Sequence, residues 1–291
     1  MDFLKRSKSE IILIVLIFAS SVAGAQKKPE LVAPGVISTG SDYCTTLSPD
    51  GTTMYFARTS EKGVDAIMMS NLLDGEWGQP QAVSFTGKFD DTDPLLTPDG
   101  KTMYFMTNRN AEQDGWKEDF DIWVTDFTED KWAAPYRLPD FINTSFTEGF
   151  PSTTDDGNLY FFRSNTPGHG EQDIWQAKRV GGGFDTPRKL GGQISTEAWD
   201  GHPFVSSDER FMIFYSNREG GYGSCDLYIS FRKNGNWTDP KNLGPTINSE
   251  DCDMVPFVSR DGRTLYFTRI SDGRRNIYQV SFESIIRKFE G

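Results

Sequence analysis

Thr45-Thr46-Leu47-Ser48-Pro49-Asp50-Gly51, followed by Met54-Tyr55-Phe56, decides the fold. A Pro-Asp-Gly turn signal separates two short runs rich in hydroxyl, apolar and aromatic residues, which reads as two strands joined by a tight turn. The phrase returns four times. Pro94 leads to Asp99-Gly100 and then Met103-Tyr104-Phe105; Pro151 leads to Asp156-Gly157 and Leu159-Tyr160-Phe161. Pro203 leads to Asp208-Glu209 and Met212-Ile213-Phe214; Pro256 leads to Asp261-Gly262 and Leu265-Tyr266-Phe267. The turn aspartates are 49, 57, 52 and 53 residues apart, a period that belongs to a repeat architecture.

Each unit continues in one way. A polar residue opens a third strand: Asp121-Ile122-Trp123, Asp173-Ile174-Trp175, Asp226-Leu227-Tyr228, Asn276-Ile277-Tyr278, and more loosely Asp65-Ala66-Ile67. An aromatic residue and a Pro then introduce a fourth: Trp77 and Pro80, Trp132 and Pro135, Phe184 and Pro187, Trp237 and Pro240. Four short strands per unit predict an all-β, single five-bladed β-propeller of four-stranded blades. The units cover residues 42–83, 91–138, 148–190, 200–243 and 253–280. The fifth lacks its fourth strand. Residues 29–36 match 240–247 in spacing, so an N-terminal strand over 30–37 is expected to close the last blade and remove the open sheet edge. Helical periodicity is confined to the tail, residues 281–289.

The Ser-Pro-Asp-Gly phrases with their Tyr-Phe strands, together with Ser216-Asn217-Arg218 and Asp226-Leu227-Tyr228, resemble the WD40-like propeller repeats of the TolB type. The stretch 216–230 is similar to versions found in envelope proteins of Bacteroidetes-like bacteria. The chain departs from TolB in having five units instead of six and no α/β domain before them. The resemblance implies a propeller and an envelope setting, and says less about the ligand.

Residues 1–25 read as a secretory signal peptide: Lys5, Arg6 and Lys8, an apolar run over 11–19, then Ala23-Gly24-Ala25. The propeller then occupies 26–291, is periplasmic or secreted, keeps no membrane span, and is expected to be a monomer. A net charge of −12 excludes a general nucleic-acid binder. Three cysteines suit an exported chain with one disulfide. Cys225 and Cys252 map to the upper ends of adjacent blades and are the expected pair, with Cys44–Cys252 as competitor. Only His169 and His202 are available as histidine ligands, so no structural zinc site is expected.

If the first strand of each blade runs along the axis, the Asp-Gly turns lie on one face, called lower here. The crossings between blades and the longer loops 110–119, 164–172 and 219–224 lie on the upper face, where function is expected. An acid stands three residues before each Pro or its equivalent: Asp42, Asp91, Glu148, Asp200 and Asp253. This ring reads either as a site for a cation or cationic ligand, or as a structural acceptor of backbone N–H groups. Arg58, Arg109, Arg163, Arg218 and Arg269 end the second strands in matching register, which suggests internal pairing. Residues that break the repeat point more directly to a ligand: Trp116, Trp199 and His202 beside Asp200, and His169. An acidic mouth with an aromatic wall suits a cationic peptide segment, or a sugar with a bridging Ca²⁺, better than an anion, and the expected ligand is a protein, peptide or glycan. Ca²⁺ at Asp90, Asp91, Asp93, Asp251 and Asp253 is the one cofactor considered. No Gly-x-Ser-x-Gly, His-Glu-x-x-His or phosphate loop occurs. The expected function is therefore non-catalytic binding in the bacterial envelope. The alternatives are a glycan-active hydrolase or lyase using the acids, and a structural subunit of an envelope assembly.

Overall fold

The computed structural model describes residues 27–112, 115–164 and 171–290. Five antiparallel sheets surround one axis, each with four principal strands, which in the first four follow sequence order from the axis outward. The first blade comprises Asp42–Leu47, Thr53–Thr59, Asp65–Leu73 and Gln81–Ala82. The second comprises Asp91–Leu96, Thr102–Arg109, Trp116–Thr128 and Tyr136–Arg137. The third holds Glu148–Thr153, Leu159–Ser164, Gln172–Ala177 and Arg188–Lys189. The fourth holds Asp200–Val205, Phe211–Ser216, Asp226–Lys233 and Lys241–Asn242. The fifth holds Cys252–Val258, Thr264–Ser271 and Arg274–Ser281.

The fifth blade takes its outer strand from the other end of the chain. Glu30–Leu31 pairs antiparallel with Arg274–Ser281, Glu30 opposite Gln279 and Leu31 opposite Tyr278. Val32 and Ile37 then bury completely among Met54, Phe56, Tyr266 and Ile277, joining the first and last blades in one apolar cluster. The expected signal segment, residues 1–25, lies outside the described residues. The tail forms a helix, Phe282–Phe289, whose Phe282 and Ile285 pack with Phe211 and Leu265.

The recurring phrase is explained by its turn. In the first blade Ser48 Oγ donates to Asp50 Oδ1, which also accepts from the Thr52 N–H at 3.0 Å, while Thr53 N–H donates back to Ser48 Oγ at 2.9 Å. These bonds, from Ser48 foremost, hold the Asp50 carboxyl below its ordinary range. Gly51 sits at φ 73°, where a Cβ is unfavourable. The fourth blade puts Glu209 there at φ 55°, and its carboxylate is held by Arg232 at 2.6 Å and by Asn158 Nδ2 at 2.7 Å.

Candidate functional site

The inner strands each carry a β-bulge at one equivalent place, where pairing slips between Tyr43 and Thr45, Thr92 and Leu95, Gly149 and Ser152, Gly201 and Phe204, and Met254 and Phe257. The bulged residues Cys44, Asp93, Phe150, His202 and Val255 all have φ between 48° and 55°. Left-handed backbone costs a non-glycine residue about 1 kcal/mol or more. The next residue is Thr45 or a proline. A bulge leaves ladder positions unpaired, so proline's missing N–H does no harm there.

These five bulged residues encircle the axis. Together with Leu95, Ser152, Phe204 and Phe257 they enclose a constriction of about 30 Å³. Below it the channel widens to a funnel of about 250 Å³, lined by Leu47, Leu95, Phe204 and Phe257 and rimmed by Pro49, Pro98, Ser207 and Arg260. The repeat makes the scaffold fivefold, yet the constriction is built from five different side chains. Cys44 Sγ donates to Asp93 Oδ1 at 2.8 Å, and Thr92 Oγ1 donates to the same oxygen at 2.9 Å. The His202 ring stacks on Phe150 with centroids 3.4 Å apart and lies 4.3 Å from that of Tyr215. Burial pushes the Asp93 carboxyl up to about 7, raises the Cys44 thiol, and lowers His202 well below its ordinary value.

The predicted acids lie elsewhere. Asp42, Asp91, Glu148, Asp200 and Asp253 are fully buried, and none of them lines the axial cavity. Each is paired with the arginine of its own blade at 2.5–2.7 Å: Arg58, Arg109, Arg163, Arg218 and Arg269. Four of the acids also accept a backbone N–H from Thr39, Thr144, Thr196 or Ser249 in the preceding crossing. The arginines reach carbonyls of the same crossings, for example Arg163 to Ile142 and Arg269 to Ile247, both at 2.9 Å. Their guanidinium groups lie over Phe56, Phe105, Phe161, Phe214 and Phe267. Acid and arginine thus clamp each crossing to its blade. Among the described residues no group of three or more His, Cys, Asp or Glu is placed to hold a metal ion. Asp90, considered for Ca²⁺, accepts instead from the Asp65 N–H and from Asn108 Nδ2.

The aromatic candidates separate. Trp199 is 42% exposed on the upper face, but neighbouring Asp200 is sealed and His202 faces the channel. Trp116 is 68% exposed and belongs to a strand, not a loop: it pairs with Arg109 and lengthens the hairpin of the second blade. His169 lies outside the described residues. Cys225 and Cys252 form a disulfide with Cα atoms 4.5 Å apart, and Cys44 is free and buried. The channel ring around Asp93 was missed by sequence reasoning. Its available signal was variation at one register position of every unit.

No protein-family model matches the chain, and no curated protein matches it. Solved structures do. A thermostable family-43 glycoside hydrolase has a TM-score of 0.58 at 13% identity, over 85% of this chain and 91% of that one. The α-L-arabinofuranosidase PaAbf62A from Podospora anserina gives 0.54 at 10%, over 88% and 96%. TolB from Acinetobacter baumannii gives 0.50 at 17%, over 82% of this chain and 54% of that one. At these identities the likeness is one of fold. No helix among the described residues is long and apolar enough to cross a membrane.

Proposed function

We propose that this chain is an exported, non-catalytic binding module of a bacterial envelope, holding a protein, peptide or glycan on its upper face. The observation that carries the reading is a set of exposed aromatics on that face: Trp116, Phe141, Trp199 and Tyr222, 68, 43, 42 and 52% exposed. Large rings left in water on a rigid scaffold are the usual anchors of recognition. Catalysis has less support. Glycoside hydrolysis of the ordinary kind uses two carboxyl groups at a set separation. Of the five residues around the constriction only Asp93 is an acid, and the five clamp acids are bound to arginines. The hydrolase reading rests on the fold likeness to the two glycosidases.

The test compares the native chain with the Trp116→Ala, Trp199→Ala double variant on a glycan array and in pull-downs from envelope extract. A partner whose affinity drops roughly tenfold or more in a variant with an unchanged melting temperature supports the upper face. Equal affinity places recognition elsewhere. Turnover of a glycan, abolished by Asp93→Asn, replaces binding with hydrolysis as the function.

A further inference from the structure

The lower funnel and its apex form a second concavity, independent of the upper face. Its walls are apolar: Leu47, Leu95, Phe204 and Phe257, with the last two rings edge to face at 5.6 Å. It tapers to the constriction, whose 30 Å³ is close to the share of a single water molecule in the liquid. Two side-chain atoms in that ring, Asp93 Oδ2 and His202 Nδ1, are buried without a hydrogen-bond partner. Their residues are 4% and 6% exposed. Nearly all buried polar groups in proteins are satisfied, so two orphans on one small cavity call for an occupant.

The surroundings select its chemistry. Asp93 Oδ1 is already engaged by Cys44 and Thr92, so Oδ2 is the free acceptor. Burial keeps His202 neutral, and a neutral imidazole offers one acceptor nitrogen. The unpartnered carboxylate oxygen of Asp93 repels anions. The absence of a third ligand among the described residues disfavours a metal ion. A guanidinium or quaternary ammonium group is too broad for the apex. A primary ammonium group is about the size of water and carries three donors. The funnel behind it suits a slim apolar chain, since its volume lies below that of sites for drug-sized ligands.

We propose that the lower funnel binds a primary ammonium group borne on a short apolar chain, with the nitrogen at Asp93 and the chain between Leu95, Phe204 and Phe257. The source is a free alkylamine or a lysine side chain of another molecule. Arg260 reaches from the fifth blade to the Pro98 carbonyl of the second; with Arg210, Asp208 and Asp261 it lines the mouth, which carries charges of both signs, and its own charge opposes entry. The groups that act on Asp93 are the Cys44 thiol, the Thr92 hydroxyl, the Phe150 N–H and the Asp65 carboxylate; Arg275 bears on Cys44, and His202 shares the constriction. Of these, Asp65 and Arg275 are of opposite sign and lie 3.9 Å from each other. Binding is therefore expected to weaken as pH falls through about 7, where Asp93 takes up its proton.

Calorimetric titration of the native chain with n-hexylammonium chloride tests this, with n-hexanol and hexanoate as controls. Saturable binding of the amine alone is expected, weakening by up to about tenfold per pH unit once Asp93 is protonated. Asp93→Asn is expected to lose roughly tenfold or more in affinity. Leu95→Lys, which puts the protein's own ammonium into the funnel, is expected to abolish binding even if Asp93→Asn fails to fold. Arg260→Ala is expected to tighten it. A Gly-Lys-Gly peptide that binds as well assigns a side-chain source, and one that does not assigns a free amine. No saturable binding at millimolar amine, equal binding of hexanol, or an unchanged affinity in Leu95→Lys overturns the proposal and leaves the apex to water.

Discussion

Asp93 shows what a single residue in the channel does to the whole chain. Burial raises its carboxyl from 3.8 to about 7, so the folded state holds a proton that the unfolded chain has released. Its contribution to stability is fully present below about pH 4 and is lost as pH rises through about 7, a difference of roughly 4 kcal/mol. Urea denaturation at pH 5 and pH 8 checks this: the native chain should lose stability over that interval, and Asp93→Asn should lose less. The clamp behaves differently. Asp253 is fully buried, and among the described residues Arg269 is its ionic partner. Arg269→Met should cost about 3–5 kcal/mol, because it strands a buried charge, and adding Asp253→Asn should recover part of the loss. Urea midpoints of the two variants decide it; equal midpoints would mean the charge is not what matters. Asp253 and Asp93 also mark how far the site was legible in the sequence. The acids repeat, so they stood out, and the arginines in register indicated pairing. Which residue faces the axis was hidden, because alternation along a strand fails at a bulge and the left-handed residue turns inward.

At the scale of elements the sequence was easier to read. Turn chemistry at Asp50-Gly51 and its counterparts marks where strands end, and tight turns depend on local residues alone. The fourth strands are only two residues long, yet the Pro after each aromatic announced them. The strand Trp116–Thr128 was read short because its first residues pair only through the hairpin with Arg109, a contact that no periodicity reports. The closing strand was legible through the match between residues 29–36 and 240–247, and it yields a quantitative expectation. Val32 and Ile37 are almost fully buried. At about 1.5–3 kcal/mol for each such side chain, deleting residues 26–37 should cost at least about 3 kcal/mol. It would also expose the edge of Arg274–Ser281, so self-association should rise. Denaturant midpoints and sedimentation of the truncated chain check both effects, and an unchanged midpoint would mean that the ring does not need this strand.

In the whole molecule two devices on either side of the fifth blade hold the ring shut. The N-terminal strand joins that blade to the first, and the Cys225–Cys252 disulfide joins it to the fourth. The disulfide closes a loop of 27 residues, which by chain entropy stabilises by about 3.5 kcal/mol. Its neighbourhood is already organised: Asp253 N–H donates to Cys225 O at 2.9 Å, and Ser224 N–H donates to Asp251 O at 2.9 Å. The bond therefore acts chiefly on the unfolded chain, and the folded ring should survive without it. A Cys225→Ser, Cys252→Ser variant is expected to keep the native circular dichroism spectrum while its urea midpoint falls. Reductant should lower the midpoint of the native chain to that of the variant and leave the variant unmoved. Combining the two serines with deletion of residues 26–37 frees the fifth blade on both sides. Each lesion alone leaves that blade one tether to the ring, so the combined loss should exceed the sum of the separate losses. Additive losses would show that packing between blades, through clusters such as Leu265, Phe267 and Leu227, holds the fifth blade in place without either tether.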